Sequence, residues 1–194
     1  AAARMAARLA RARELLTQTG LDGLIVSDRH DVRYLSGFRG EDTWLLIGRQ
    51  VALLCTDSRF VPLGPEVIGF ELELVERLVD EVVAAAAREL GPAAALGVQG
   101  DDLTYAQYRR LRRVHAGRLR DLGARVSALR VVKDVVEIAA IRRACAVVEE
   151  ALEHVLSNGL VGRSEAEVAW AMCVAMRELG AEDVSFETIV AAGE

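Results

Sequence analysis

Arg39, Gly40, Glu41 and Asp42 put one guanidinium and two carboxylates into four consecutive residues, just ahead of two hydrophobic runs. An arginine binds a carboxylate through two parallel N–H···O bonds, and a glutamate can hold an ammonium. Arg39 and Glu41 therefore suit the two ends of a short peptide. The same four residues also make an ordinary solvated loop, and both readings stand on the residues alone. Asp57 and Arg59 in "LCTDSRF" sit just past a predicted strand end, where Asp57 is expected to cap the turn and Arg59 to pair locally. Asp28, His30 and Asp31 in "SDRHD" read as another turn-rich stretch. His30, His115 and His154 have no metal-ligand spacing among them, and His154 with Glu150 reads as a solvated pair on one helical face. No H-E-x-x-H, P-loop or G-x-S-x-G motif occurs, and no G-x-G-x-x-G follows a strand, so no self-contained active site is expected here.

The elements that must hold the charged segment follow from periodicity. Met5, Leu9, Ala12 and Leu16 fall on one helical face, and Gly20 suits the end of that helix. "LIVS" reads as a buried strand, and Trp44 to Ile47 with Val51 to Thr56 as a buried hairpin. "GFELELV" alternates apolar and acidic residues, the period of a strand with one wet face. Leu78 to Leu90 suits a helix closed by Gly91-Pro92, and "AALGVQ" a short strand. A helix is predicted from about Thr104 to Leu122, with "ARVSAL" as the strand after it. Six arginines lie in "YRRLRRVHAGRLR", but Tyr108, Leu111, Val114 and Leu122 give an inward stripe, so the arginines read as a solvated face rather than an RNA contact. Alternating helices and strands predict an α/β unit, a mixed sheet flanked by helices, over residues 1–129.

From 130 to 194 the pattern changes. A long amphipathic helix is predicted from Asp134 to Ser157, with Ile138, Ile141, Cys145, Val148, Leu152 and Val155 as its burial face. Ser164 and Glu167 form a capping box, worth about 1 kcal/mol, for a second helix whose inner face is Val168, Met172, Ala175 and Leu179. "VSFETIVAAG" reads as a strand. Two helices and one unpaired strand form an open arrangement that wants more sheet, so the chain is expected to be the front part of a longer protein.

Composition sets the outer limits. The chain has 194 residues, 52% hydrophobic and 27% charged, a globular balance. A net charge of −5 argues against nucleic acid as partner, and no apolar run is long enough to cross a bilayer. Cys55, Cys145 and Cys173 are few, widely spaced and odd in number, which supports neither a zinc finger nor a disulfide framework and makes a cytoplasmic home the simplest reading.

"LDGLIVSDRHDVRYLSGF" followed by "ALLCTDSRF" resembles the creatinase-type N-terminal domain of the proline-specific metallopeptidases, the Xaa-Pro aminopeptidases and Xaa-Pro dipeptidases (prolidases). "LRVVKDVVEIAAIRRAC" and "GRSEAEVAWAMCVAMRELGAEDVSFETIVAAGE" resemble the start of their α+β pita-bread catalytic domain, here incomplete. The resemblance implies hydrolysis of the bond between an N-terminal residue and proline by water held between two divalent metal ions (manganese, cobalt or zinc). It also implies that the metal ligands lie beyond "FETIVAAGE", so that this chain holds no catalytic or metal-binding residue, and that Asp57, Glu165 and Glu187 are not substitutes. In homodimers of the family the loop after "YLSGF" approaches the partner's active site. Phe38, Arg39 and Glu41 are thus the expected substrate-contacting residues, with Phe186 as a candidate apolar wall or a core residue of its strand. A creatinase-like C–N hydrolase and a non-catalytic protein-binding module share this layout and remain alternatives.

Overall fold

The computed structural model describes residues 2–60, 62 and 67–193, which places Glu194 of the "FETIVAAGE" run outside the described residues. The chain divides into two compact units, Ala1–Val132 and Lys133–Glu194.

The first unit is one mixed sheet between two helical layers. Its elements are α1 (Ala2–Thr19), β1 (Gly23–Val26), α2 (Arg29–Ser36), β2 (Trp44–Gly48), β3 (Ala52–Thr56), β4 (Glu71–Leu74), α3 (Leu78–Leu90), β5 (Leu96–Val98), α4 (Tyr105–Val114) and β6 (Leu119–Asp121), followed by two 3-10 turns at Gly123–Arg125 and Ser127–Arg130. The strand order is β4-β3-β2-β1-β5-β6, antiparallel at β1–β2 and β2–β3 and parallel elsewhere. Side chains alternate between the two faces of a strand. Leu24, Val26, Leu45, Ile47 and Leu54 accordingly pack with α1 and α2, while Ile25, Trp44, Leu46, Leu53 and Cys55 pack with α3 and α4. Both faces of the central strands are covered, so they read as unbroken apolar runs. The predicted face of α1 is the buried one: Met5, Leu9, Ala12 and Leu16 are all in the core.

Three expectations for this unit are corrected. The helix from Thr104 ends at Val114 rather than Leu122, because the chain there must pass close to Ala94. His115 Nε2 lies 2.8 Å from Ala94 O, and a Cβ on Gly117 would stand 2.2 Å from the same oxygen. The outer strand is Leu119–Asp121, and "ARVSAL" forms 3-10 turns instead. Leu122, Val126 and Leu129 reach the core at a spacing of four and three, a helical period that a strand cannot use. β4 does not have one simply wet face. Leu72 and Leu74 are exposed on this edge strand, and acidic Glu73 pairs with Arg88 of α3 at 2.6 Å.

Asp121 joins the edge strand to the turns on either side of it. Its Oδ1 accepts the backbone N–H of Gly100 and of Gly123, each at 2.9 Å. Those N–H groups, Gly123's first, hold the carboxyl below the usual carboxylate range. A carboxyl with a lowered pKa in the folded state stabilises the fold above its unfolded pKa of about 3.9, and this contribution fades as the pH falls through the folded value. The gap in urea midpoint between the parent and Asp121→Asn should therefore be constant at neutral pH and close as the solution is acidified through that window. A gap that persists in strong acid would show that the ionised carboxylate is not the source.

The second unit contains α5 (Val135–Ser157) and α6 (Glu165–Glu178), each opened by a capping box, Asp134 with Glu137 and Ser164 with Glu167. They close on Ala151, Val155, Met172, Ala175 and Met176. The predicted burial face of α5 is mostly open: Ile138, Ile141, Val148 and Leu152 are 40–49% exposed. The described part of this unit offers α5 only one helix to pack on, which covers the Ala151–Val155 side. Residues 184–193 form no strand among the described residues, since a strand needs a ladder partner and this unit supplies none. Ala192 N–H instead donates to Glu165 Oε1 at 2.8 Å.

Candidate active-site loop

"SDRHDVRYLSGF" is a short helix and its two caps, which the turn reading missed. Asp28 caps α2 through Oδ1, which accepts the N–H of His30 and Asp31 at 2.9 Å. Gly37, with φ of 80°, ends it in the left-handed conformation, and its N–H returns to Arg33 O. The motif residues between are fixed one by one. The Tyr34 hydroxyl donates to Leu129 O at 2.9 Å, and the Arg8 guanidinium lies 4.0 Å over its ring. Ser36 Oγ donates to Val32 O and accepts Phe38 N–H, turning the chain toward the loop.

Phe38 is 1% exposed and meets Phe60 edge to face, with centroids 6.3 Å apart. It presents its ring to the core and forms the floor beneath the loop. Gly40 rests directly on that floor, because a Cβ there would lie 2.4 Å from the Phe38 ring and 2.9 Å from Phe60. Asp42, with a positive φ of 45°, is held by Arg59 at 2.9 Å. Arg59 is in turn gripped by Asp57 at 2.6 Å, the local pairing expected from the sequence. This partner holds the half-buried Asp57 carboxyl below the usual carboxylate range. Thr43 Oγ1 lies 2.8 Å from both Glu41 O and Thr56 Oγ1. The loop is thus anchored at its floor and at its far end.

Arg39 and Glu41 stand exposed above Phe38 and share a hollow of about 210 Å³ with Arg29, His30, Arg33 and Gly40. Phe38, Arg39 and Glu41 are therefore brought together. Phe186 belongs to the second unit and is 74% exposed, so it is not a core residue of a strand. Arg29 and Arg33 were not read from the sequence, and His30 was read only as part of a turn. The signal was there: Asp28 as a cap, Gly37 as a stop, and two arginines four apart between them.

The other charged stretches are structural. Arg110 binds Asp80 at 2.7 Å, Arg109 lies over Tyr105, and Arg120 donates to Thr19 O. His154 and Glu150 are exposed and lie along one concave surface of the second unit, where His154 Nε2 is 3.3 Å from Asn158 Nδ2. Glu165 and Glu187 line a hollow of about 580 Å³ with Trp170, Cys173 and Ile189. Burial, with Glu73 nearby, pushes the Cys55 thiol up to about 12, so it is no nucleophile at neutral pH. Among the described residues no three histidine, cysteine or acidic side chains converge as a metal centre requires, so they do not fit a metal pair. No described helix is long and apolar enough to cross a membrane.

Residues 8–132, the sheet unit that carries this loop, match the family described as "Creatinase/Prolidase N-terminal domain". The chain belongs to that creatinase/prolidase family. Residues 139–194 match "Metallopeptidase family M24". The uncharacterized peptidase YqhT of Bacillus subtilis is 30% identical over 193 residues, covering 96% of this chain and 53% of that protein. A Bacillus anthracis Xaa-Pro dipeptidase is 30% identical with a TM-score of 0.87, covering 94% of this chain and 51% of the other. A Thermotoga maritima X-Pro aminopeptidase follows at 26% identity and TM-score 0.81, covering 93% and 51%. The creatinase/prolidase chain thus spans about half the length of these three relatives. Its mixed sheet flanked by helices is the arrangement the resemblance implied.

Proposed function

We propose that this chain is the N-terminal part of a metal-dependent Xaa-Pro peptidase, and that its loop at residues 39–42 caps the substrate site of a partner subunit. One observation carries the reading: both family matches occur in order along one chain that superposes over 94% of its length on an Xaa-Pro dipeptidase. The two divalent ions are assigned to residues of the longer protein, where a metal pair lowers the pKa of bound water and stabilises the developing oxyanion. What this chain supplies is position. Phe38 and Phe60 set the height of the loop, Arg59 fixes its far end through Asp42, and Arg39 and Glu41 are held out for the termini of a peptide. The assembly is a homodimer in the cytoplasm, with a proline-containing peptide as substrate.

The test compares this chain with its longer gene product on Xaa-Pro dipeptides and tripeptides, each with manganese or cobalt. The 194-residue chain should give no turnover above blank, and the longer product should cleave before proline. Turnover by the short chain would show that the chemistry lies within it. Metal-independent cleavage of a guanidino C–N bond by the longer product would favour the creatinase alternative. Failure of both reactions, with a stable protein partner recovered, would favour a binding module.

A further inference from the structure

We infer that Asp31 and Tyr34 make α2 a two-point latch, tying the loop at residues 39–42 to the segment by which the chain leaves the first unit, so that loosening one end loosens the other. Three observations converge on it. The first is length. α2 has eight residues, fewer than a helix needs to hold its shape unaided in water, so its order comes from the contacts around it. Within the chain's own local span it has only the Asp28 cap and the Gly37 turn.

The second is where the remaining contacts go. Asp31 and Tyr34 stand three positions apart and so share a face of α2. Both reach the last 3-10 turn, Ser127–Arg130, at neighbouring residues. The Tyr34 hydroxyl donates to Leu129 O at 2.9 Å, and Arg130 Nε donates to Asp31 Oδ1 at 2.6 Å. Arg130 Nη2 also lies 3.7 Å from Oδ1 of the capping Asp28. The first unit ends two residues later, at Val132. The third is the other end of the helix. Ser36 Oγ accepts Phe38 N–H, and Phe38 is the floor on which Gly40 rests. Tyr34, Leu35, Phe38 and Leu129 share one buried cluster. The loop and the exit turn therefore lean on the same short helix, which neither end can lose without cost to the other. This tie goes beyond the peptidase reading and holds whichever reaction the longer protein performs.

Site-resolved amide hydrogen exchange on the 194-residue chain tests it. Tyr34→Phe keeps the ring and removes one hydroxyl. Loss of one buried hydrogen bond should raise the local opening of whatever it holds roughly five-fold. The N–H groups of Gly37 and Phe38 at the loop end, and of Leu129 and Val131 at the exit, should all exchange faster by that factor. Those of Gly91 and His115, which close α3 and α4 on the opposite face of the sheet, should stay within about two-fold of the parent. Gly40→Ala pulls from the other side, straining the loop against Phe38. Coupling between two sites is reciprocal, so it should also speed exchange at Leu129 and Val131 while sparing Gly91 and His115. Acceleration confined to Leu129 and Val131 in Tyr34→Phe, or to Gly37 and Phe38 in Gly40→Ala, would make the two ends independent and overturn the inference. Equal acceleration at Gly91 and His115 would show a general loss of stability and overturn it as well.

Discussion

Asp31→Ala should lower the unfolding free energy of the first unit by about 3 kcal/mol, the range for breaking a buried charged hydrogen-bond network. Asp31 is 1% exposed and sits in the first turn of α2. Its Oδ2 accepts Gln99 Nε2 at 2.7 Å and its Oδ1 accepts Arg130 Nε at 2.6 Å. Gln99 Oε1 in turn accepts the N–H of Ser27 and Asp28. Four segments therefore meet on one side chain: the end of β1, the start of α2, the residue after β5 and the last 3-10 turn. Removing the carboxylate leaves the amide of Gln99, itself 4% exposed, with a buried donor and no acceptor. In this variant Arg130, 38% exposed, can regain water, so the loss falls on the Gln99 amide. Arg130→Ala instead leaves the buried Asp31 carboxylate without its guanidinium, which should also cost about 3 kcal/mol. Urea melts of the two variants should therefore show losses of similar size, and the double variant should cost clearly less than their sum. Strictly additive losses would mean that Asp31 and Arg130 act independently.

The same residue marks what the sequence could and could not convey. Apolar period and end signals carried five of the six strands and four of the helices: the α1 stripe, the hairpin strands, the Leu78–Leu90 helix and the Ser164–Glu167 capping box all stand where the sequence puts them. α2 was lost because its eight residues are largely polar at the start, and "SDRHD" has the composition of a turn as well as of a capped first turn. Asp31 and Gln99 are 68 positions apart, and no local pattern announces that an aspartate in such a stretch will be buried by a glutamine beyond a distant strand. The strand misplaced onto "ARVSAL" failed for a related reason. The turn before it is set by contact with Ala94, a tertiary constraint that overrides local preference. In the candidate site, Arg39 and Glu41 were legible because they are adjacent charges in a short segment ahead of two apolar runs. Arg29 and Arg33 were not, because recognising them required first recognising the helix that aligns them.

Phe38→Ala should cost about 3–4 kcal/mol in the first unit, as expected for deleting a fully buried aromatic ring. The informative result comes from pairing it with Gly40→Ala. In the parent, a methyl at position 40 meets Phe38 at 2.4 and 2.7 Å and Phe60 at 2.9 Å. Phe38 is locked by the core and by its edge-to-face contact with Phe60, so the backbone at Gly40 has to lift. Overpacking of this kind costs about 2 kcal/mol. Once Phe38 is alanine, the two closest contacts vanish and the new methyl fills part of the space. The double variant should therefore be more stable than the sum of the single losses predicts, by at least about 1 kcal/mol. The loop should follow the same logic: Gly40→Ala alone should displace the Arg39 and Glu41 amide resonances, and Phe38→Ala should partly restore them. Strictly additive losses, with an undisturbed loop in Gly40→Ala, would mean that the charged tip is set by Arg59 and Asp42 alone. Coupling of the expected sign would instead make the aromatic floor the element that decides where Arg39 and Glu41 stand, and so where a peptide end is met.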